Sequence, residues 1–447
     1  MTAISERLEG EVTARSTEAE AQANFLAVLQ LCAAGKLRCS EKTRRPSAAT
    51  VATVRRSLVS GDFYADDAIA AFAWPLLLQA GGLAELAGSR LQLTTRGRSA
   101  LGKPPVETIR HLWQRWQSHG VIDEMSRVEE IKGQRTANTL TAVKPRRQCV
   151  EEALATCPVG EWVRVDELFA TMRRKGLSPT VARNDRAIWN LYICEREYGS
   201  LGYLDCHDWE IIEGRYTMCV LFEYMATLGL IDVSYGDPVG ARDDFRDNWG
   251  ADDLDYLSRY DGLDAVRLNA MGAWVLGLVD RYEPVELSGP AAFDVLPNLD
   301  VVAVGEVSPA DRLLLDAFAG RSSERVWSLA RGTVLAAIAA GRELDELRSF
   351  LGRARHDLPS TVVALLDDVA ACARQVRDLG VVHAVECADP AVAVLIARDR
   401  KLRKHCHLIG DRHLVIPLEH ETAFRAALPA LGYALPLTGP GGEFGAS

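Results

Sequence analysis

Three groups of residues in this chain have side chains able to do chemistry at close spacing. The densest is the aspartate series Asp243, Asp244, Asp247, Asp252, Asp253 and Asp255. Clustered carboxylates are what a nuclease uses to hold a divalent cation. The spacing fits no EF-hand loop, no lysine lies beside it, and the flanks Gly236-Asp237-Pro238 and Asn248-Trp249-Gly250 read as a long loop. The series is therefore expected to be a solvated or partner-docking loop. The second group is His405-Cys406-His407 with His383 and Cys387. Alternate residues of a strand point to opposite faces, which leaves at most two ligands on one side, short of a zinc signature. The third, Asp205, His207 and Asp208 around Trp209, reads as a loop-ordering polar cluster. Phosphate-loop chemistry has no candidate either: Gly102-Lys103 is followed by Pro104, which has no backbone donor and disfavours a helix start. No G-x-S-x-G elbow occurs. The expectation is a protein with no catalytic residues, no metal and no cofactor.

What the chain does carry is charge in blocks. Over 447 residues the formal net charge is −10, yet residues 36–56 hold seven cations (Lys36, Arg38, Lys42, Arg44, Arg45, Arg55 and Arg56) against the single acid Glu41. Residues 232–264 hold ten aspartates against Arg242, Arg246 and Arg259. Binding of a polyanion depends on local patches, so the negative total does not exclude it. Apolar residues make up 48% and charged residues 25% of the chain, as in folded globular proteins. No apolar run is long enough to cross a bilayer. The N-terminal residues lack the layout of a secretory signal, and the ten scattered cysteines read as reduced thiols, so a cytoplasmic location is expected.

The elements that would position these charges are announced by a repeat at an offset of 175 residues: Leu91-Gln92-Leu93-Thr94-Thr95-Arg96-Gly97 in one copy, Val266-Arg267-Leu268-Asn269-Ala270-Met271-Gly272 in the other. In each, an alternating strand runs into a Thr or Asn able to cap a following helix. A helix-period apolar segment precedes each, Ala70 to Leu83 and Cys219 to Leu230, and ends in Gly-Leu. Further upstream each has a helix, a short strand and a second helix: Phe25 to Ala34, Lys36 to Cys39 and Ser47 to Leu58; then Gln148 to Thr156, Trp162 to Val165 and Glu167 to Arg174. This order predicts two winged helix-turn-helix modules. Between them Val106 to Gln134 is helical in period, with Trp113 and Trp116 on one face as core packing.

In a winged helix the second helix of the turn motif enters the major groove while wing and helix termini contact phosphates. The candidate DNA-binding residues are then Lys42, Arg44, Arg45, Arg55, Arg56, Arg96 and Arg98 in the first module. Arg146, Arg147, Arg173, Arg174 and Lys175 are their counterparts in the second. A basic run near the C-terminus adds Arg398, Arg400, Lys401, Arg403 and Lys404.

The C-terminal third carries a resemblance. Leu296-Pro297-Asn298-Leu299-Asp300-Val301-Val302, Asp389-Pro390 before a helix, and Asp399-Arg400-Lys401-Leu402 before the last strand resemble the N-terminal domain of XPB-type DNA helicases, over about residues 290–433. The resemblance implies a helicase-associated domain that touches DNA, here without its ATPase motor. The expected architecture is α+β: a tail (1–22), a first winged-helix domain (23–103), a helical linker (104–145), a second winged-helix domain with an acidic insertion (146–285), an XPB N-terminal-like mixed α/β domain (286–436) and a flexible tail (437–447). The expected function is that of a DNA-binding accessory protein working with a separate helicase or other ATPase in DNA repair or antiviral defence. A winged-helix transcriptional regulator and a protein-binding scaffold are the alternatives.

Overall fold

Each copy of the repeat turns on the same contacts. In the first, the Thr94 hydroxyl accepts from the Gly97 amide (3.1 Å) and donates to the Gly82 carbonyl (2.8 Å). In the second, the Asn269 side chain accepts from the Gly272 amide and donates to the Gly229 carbonyl, both at 2.9 Å. Gly82 and Gly229 are left-handed (φ +67° and +76°), a conformation glycine adopts at little cost. A Cβ on Gly97 would lie 2.0 Å from the Leu83 carbonyl oxygen, and one on Gly272 would lie 1.9 Å from that of Leu230. The sequence repeat is thus a repeat of single hydrogen bonds and single close approaches.

The structure, a computed structural model, describes residues 12–135, 138–203, 209–284, 293–376 and 380–436. It is mixed α+β and falls into two units, residues 1–370 and 371–447. In the first, β1 (Thr13–Arg15) leads into α1 (Glu18–Ala33), α2 (Ala48–Arg55) and α3 (Ala70–Ala80). The hairpin β2 (Ala84–Ala87) and β3 (Arg90–Leu93) and the short α4 (Thr95–Ala100) complete the first copy, and an Arg38–Arg90 bridge adds a third edge to the hairpin. Helix α5 (Pro105–Ser118) and β4 (Ile131–Lys132) then lead to α6 (Val143–Leu154), β5 (Trp162–Arg164), α7 (Val165–Lys175), α8 (Asp185–Ile188) and β6 (Tyr192–Ile193). A continuous helix follows, made of a π-helical turn (Glu210–Gly214), α9 (Arg215–Cys219) and a second π-helical stretch (Val220–Met225). The hairpin β7 (Ile231–Tyr235) and β8 (Leu263–Leu268), then α10 (Ala270–Val275), close the second copy. Its antiparallel sheet runs β1-β7-β8-β5.

In both copies the strand after the first helix pairs with the second strand of the hairpin, and the registers are equivalent: Ala84 faces Leu93 and Ile231 faces Leu268. The copies differ at the hairpin tip. Gly88-Ser89 turns the first, whereas residues 236–262, with most of the aspartates, separate the strands of the second.

The rest of the first unit is β9 (Phe293–Val295), β10 (Asp300–Ala303), α11 (Pro309–Phe318), β11 (Ala319–Arg321), β12 (Val326–Leu329), α12 (Arg331–Ala339), α13 (Leu344–Leu351) and α14 (Ser360–Ala373), in whose last turn the unit ends. Its sheet order is β11-β12-β10-β9, and α11 packs on α1. Buried Arg342 ties the two parts together by donating to Glu346 and, at 2.7 Å, to Gln30 in α1. The second unit holds β13 (Val382–Glu386), α15 (Pro390–Arg398), β14 (His407–Ile409), β15 (His413–Pro417) and α16 (Glu421–Ala427), with sheet order β13-β15-β14. It has its own core, including Ala393, Ile396, Leu402, Leu414, Ile416 and Phe424.

Several expected boundaries move. Residues 104–145 are not a linker: the helix stops at Ser118, and Ile109, Leu112, Trp113 and Trp116 are buried in one core that runs from Ala21 to Val275. Spacing of three and four residues puts all four on one stripe, and both copies close on it. Residues 12–22 are not a tail, since Thr13 pairs with Tyr235 and the Thr17 amide donates to Asp232 at 3.0 Å. The span 286–436 is divided by the boundary after Ala370. Residues 285–292 and 437–447, and the Asp205, His207, Asp208 cluster, lie outside the described residues.

Candidate nucleic-acid interface

The cations of the first copy sit on a loop whose backbone is locally determined. Ser40 and Arg45 close it, with the Ser40 amide donating to the Arg45 carbonyl (2.9 Å) and the Arg44 amide to the Ser40 carbonyl (2.8 Å). Arg44 is left-handed at φ +63°, so the loop reverses there and leaves Lys42, Thr43 and Arg44 exposed. Ser47 then caps α2 by accepting from the Thr50 amide. The Thr50 hydroxyl also binds both the amide and carbonyl of Arg38, which locks the loop to the helix.

Three open clefts meet on this loop. One of about 410 Å³ is lined by Arg38, Ser40, Thr43, Arg45, Ser47 and Ser89. Another of about 550 Å³ shares Arg45 and adds Lys132, Arg135 and Glu129. A third of about 740 Å³ shares Pro46 and runs past Arg55 and Arg56 to Asp66, Asp67 and Arg259. Arg45 is pinned by the Ser126 hydroxyl at 2.7 Å, and Arg55 by the Ala65 carbonyl at 2.8 Å. Arg259 is committed to Asp67 and Glu129. The cations exposed around the clefts are therefore Arg38, Lys42, Arg44, Arg56, Lys132 and Arg135. Lys132 and Arg135 were not among the sequence candidates. They reach this surface through the β4–β6 ribbon (Ile131 opposite Ile193), for which the sequence offers no short-range signal.

Arg96 and Arg98 are exposed on α4. Arg96 lies 2.7 Å from His111 Nε2, and burial, then the guanidinium, holds the His111 imidazole below its ordinary pKa. The neutral ring can accept from Arg96. Arg98 lines a separate cleft of about 340 Å³ with Arg90 and Arg342. In the second copy Arg173, Arg174 and Lys175 are exposed in the last turn of α7, where cations complement the helix dipole; Arg173 also pairs with Glu210. Arg398, Arg400, Lys401, Arg403 and Lys404 are exposed in the second unit.

Arg146 and Arg147 do not belong to the set. Both are buried at the start of α6. Arg146 binds Asp123 through both terminal nitrogens and lies 4.7 Å from the Tyr216 ring. Arg147 binds Glu124, itself buried, and stacks 4.0 Å from the Trp116 ring. The run Lys144-Pro145-Arg146-Arg147 looks like a solvated basic patch, but the adjacent acids Asp123-Glu124 are brought beneath it by the turn that follows α5. Asp244 likewise leaves the partner-docking set, being held 2.6 Å from Arg215 Nη1. Arg215 is fully buried and also bound by both oxygens of Asp261 at 3.1 Å. Buried Phe245 anchors the insertion over that arginine, while Asp243, Asp247, Asp252, Asp253 and Asp255 stay exposed. Among the described residues no cluster of three or more His, Cys, Asp or Glu is arranged to hold a metal ion.

The helices equivalent in the two copies, α3 and the 210–225 helix, determine how such a surface can work. Every residue of α3 is buried, and so is every residue from Ile211 to Met225. They pack against one another through a buried ionic centre. Arg127 lies 3.8 Å from the Phe72 ring of α3, donates to the Ala68 carbonyl and sits 3.0 and 2.9 Å from the two oxygens of Glu223. Burial is the largest influence and opposes the Arg127 charge, but Glu223 together with Tyr260, Tyr224 and Cys219 outweighs it and holds the guanidinium pKa above its usual value. Tyr260, from the end of the acidic insertion, donates to the same carboxylate. Helix α3 is apolar on every side from Ala70 to Leu78 (Ala70-Ala71-Phe72-Ala73-Trp74-Pro75-Leu76-Leu77-Leu78), a pattern that marks a buried helix, whereas the 210–225 helix buries Glu213, Arg215, Thr217 and Glu223 among its apolar residues.

No protein-family model matches the chain, and a search of curated proteins finds no match.

Proposed function

We propose that the chain is a non-catalytic nucleic-acid-binding accessory protein acting with a separate ATP-driven helicase or translocase. In this reading the two repeats are winged helix-turn-helix modules packed back to back, with α3 and the 210–225 helix at the positions of recognition helices. The helicase-associated portion follows from residue 293. The observation that carries the reading is the band of exposed cations around the clefts that share Arg45 and Pro46. Contact is to phosphates, not base edges. Inserting α3 into a groove would expose Trp74, Leu76, Leu77 and Leu78, now at most 2% exposed. At about 1.5–3 kcal/mol each this costs several times the discrimination of about 1–3 kcal/mol from a good base contact. That disfavours the regulator reading.

Duplex binding measured by fluorescence anisotropy on unrelated sequences tests the proposal. About six phosphate contacts correspond to a slope of about −5 in log K against log[salt]. Similar affinities across sequences are expected, with no consensus emerging from a random library. A strong consensus site, or no duplex binding at low salt, refutes it.

A further inference from the structure

Helix α15 is apolar on every side yet lies at the surface. Asp389 caps it, accepting from the amides of Ala391 (2.8 Å) and Val392 (3.0 Å). Ala393 and Ile396 face the core of the second unit. The opposite stripe, Ala391, Val394 and Leu395, stays open, and Leu395 is 49% exposed. With Pro390, Arg398 and Leu431 it lines a groove of about 590 Å³. A surface helix ordinarily turns polar side chains outward.

At one end of this groove stand five cations. The turn after α15 is fixed by Asp399, whose carboxylate accepts from the amides of Lys401 (2.8 Å) and Leu402 (3.0 Å), and by Leu402, which is buried. Arg398, Arg400, Lys401, Arg403 and Lys404 are thereby held exposed, and none forms an ion pair among the described residues. The groove lining contains no aromatic ring on which a base could stack. We propose that this face docks an acidic amphipathic segment of a partner protein, with apolar side chains at helical spacing in the groove and carboxylates against the five cations. The proposal is independent of the nucleic-acid reading, which rests on the first unit.

The test uses the full chain and two labelled helical peptides, both with Leu at i, i+3, i+4 and i+7, one with Glu and the other with Lys at the remaining positions. A labelled duplex serves as a third probe. The Glu peptide is expected to bind and the Lys peptide not. Leu395→Asp, and separately the double change Arg400→Glu with Lys401→Glu, should each weaken Glu-peptide binding at least about tenfold, the cost of one lost anchor or two reversed charges. Circular dichroism of both variants should be unchanged, and Arg44→Ala with Arg56→Ala should leave peptide binding intact. Failure of the Glu peptide to bind, or binding indifferent to both variants, overturns the proposal. Loss of duplex binding in Leu395→Asp would assign the face to nucleic acid, and dissociation of a homo-oligomer by that change would assign it to a second copy; either overturns it too.

Discussion

Replacing Arg147 by alanine separates a core arginine from a surface one. Its guanidinium is fully buried, donates to Glu124 and to the Trp116 carbonyl, and stacks on the Trp116 ring at 4.0 Å. Glu124 is equally buried, and its other oxygen takes a bond from Tyr216 at 3.3 Å. Removing one partner of such a pair leaves a charge without compensation, which costs about 3–5 kcal/mol. Loss of the desolvated ring contact accounts for part of that figure and is not added to it. Against a typical folding free energy of about 5–15 kcal/mol, the change leaves the first unit marginal. Urea unfolding followed by tryptophan fluorescence is a direct assay, because Trp116 lies under the substituted side chain. The variant should unfold at markedly lower urea, while its folded fraction binds duplex DNA with unchanged affinity. Replacing both partners by apolar residues of similar size, Arg147→Met with Glu124→Leu, should recover more than half of the loss, because the desolvated charges disappear together. An Arg147→Ala protein of normal stability and weakened DNA affinity would refute the buried-pair argument and restore Arg147 to the interface.

The complementary change is Lys42→Ala with Arg44→Ala and Arg56→Ala, all at exposed positions: the salt slope of duplex binding should flatten by about three units with the unfolding midpoint unmoved. An unchanged slope would place the phosphate contacts elsewhere. Gly97→Ala and Gly272→Ala should each destabilise by about 1–3 kcal/mol or more, since a Cβ meets a backbone carbonyl at both sites, whereas Gly102→Ala, with open space around it, should be nearly silent. Equal stability of the three variants in urea titrations would contradict the equivalence of the copies. Glu151, which accepts from Trp113 at 2.6 Å and from Gln117, has its pKa raised above 4.5 chiefly by burial. The folded state then holds that proton more tightly than the unfolded chain. Its contribution is full below pH 4.5 and is lost as pH rises through the raised value. Glu151→Gln keeps an acceptor for both donors, so its stability advantage over the parent should grow as pH rises from 4.5 and then level off; no advantage at neutral pH would contradict this sign.

Most elements of this protein are legible in its sequence because local chemistry makes them. Thr94, Asn269 and Asp389 stand where helices begin, and the structure shows each accepting from an amide of the following first turn. The strand Arg90–Leu93 and helix Ala70–Ala80 fall where alternation and helical period put them. The repeat is legible too, since Gly97 and Gly272 are needed for one close approach made twice. What the tertiary structure alone decided is which charges meet. A basic pair reads the same in sequence whether it faces water or Asp123-Glu124, an aspartate the same whether free or bound to Arg215, and Lys132 the same whether beside Arg45 or far from it. Periodicity carries no address for a partner many residues away. Even the all-round apolar pattern of α3 says only that it is buried. That α3 and the 210–225 helix are buried against each other follows from long-range packing through Arg127 and Glu223.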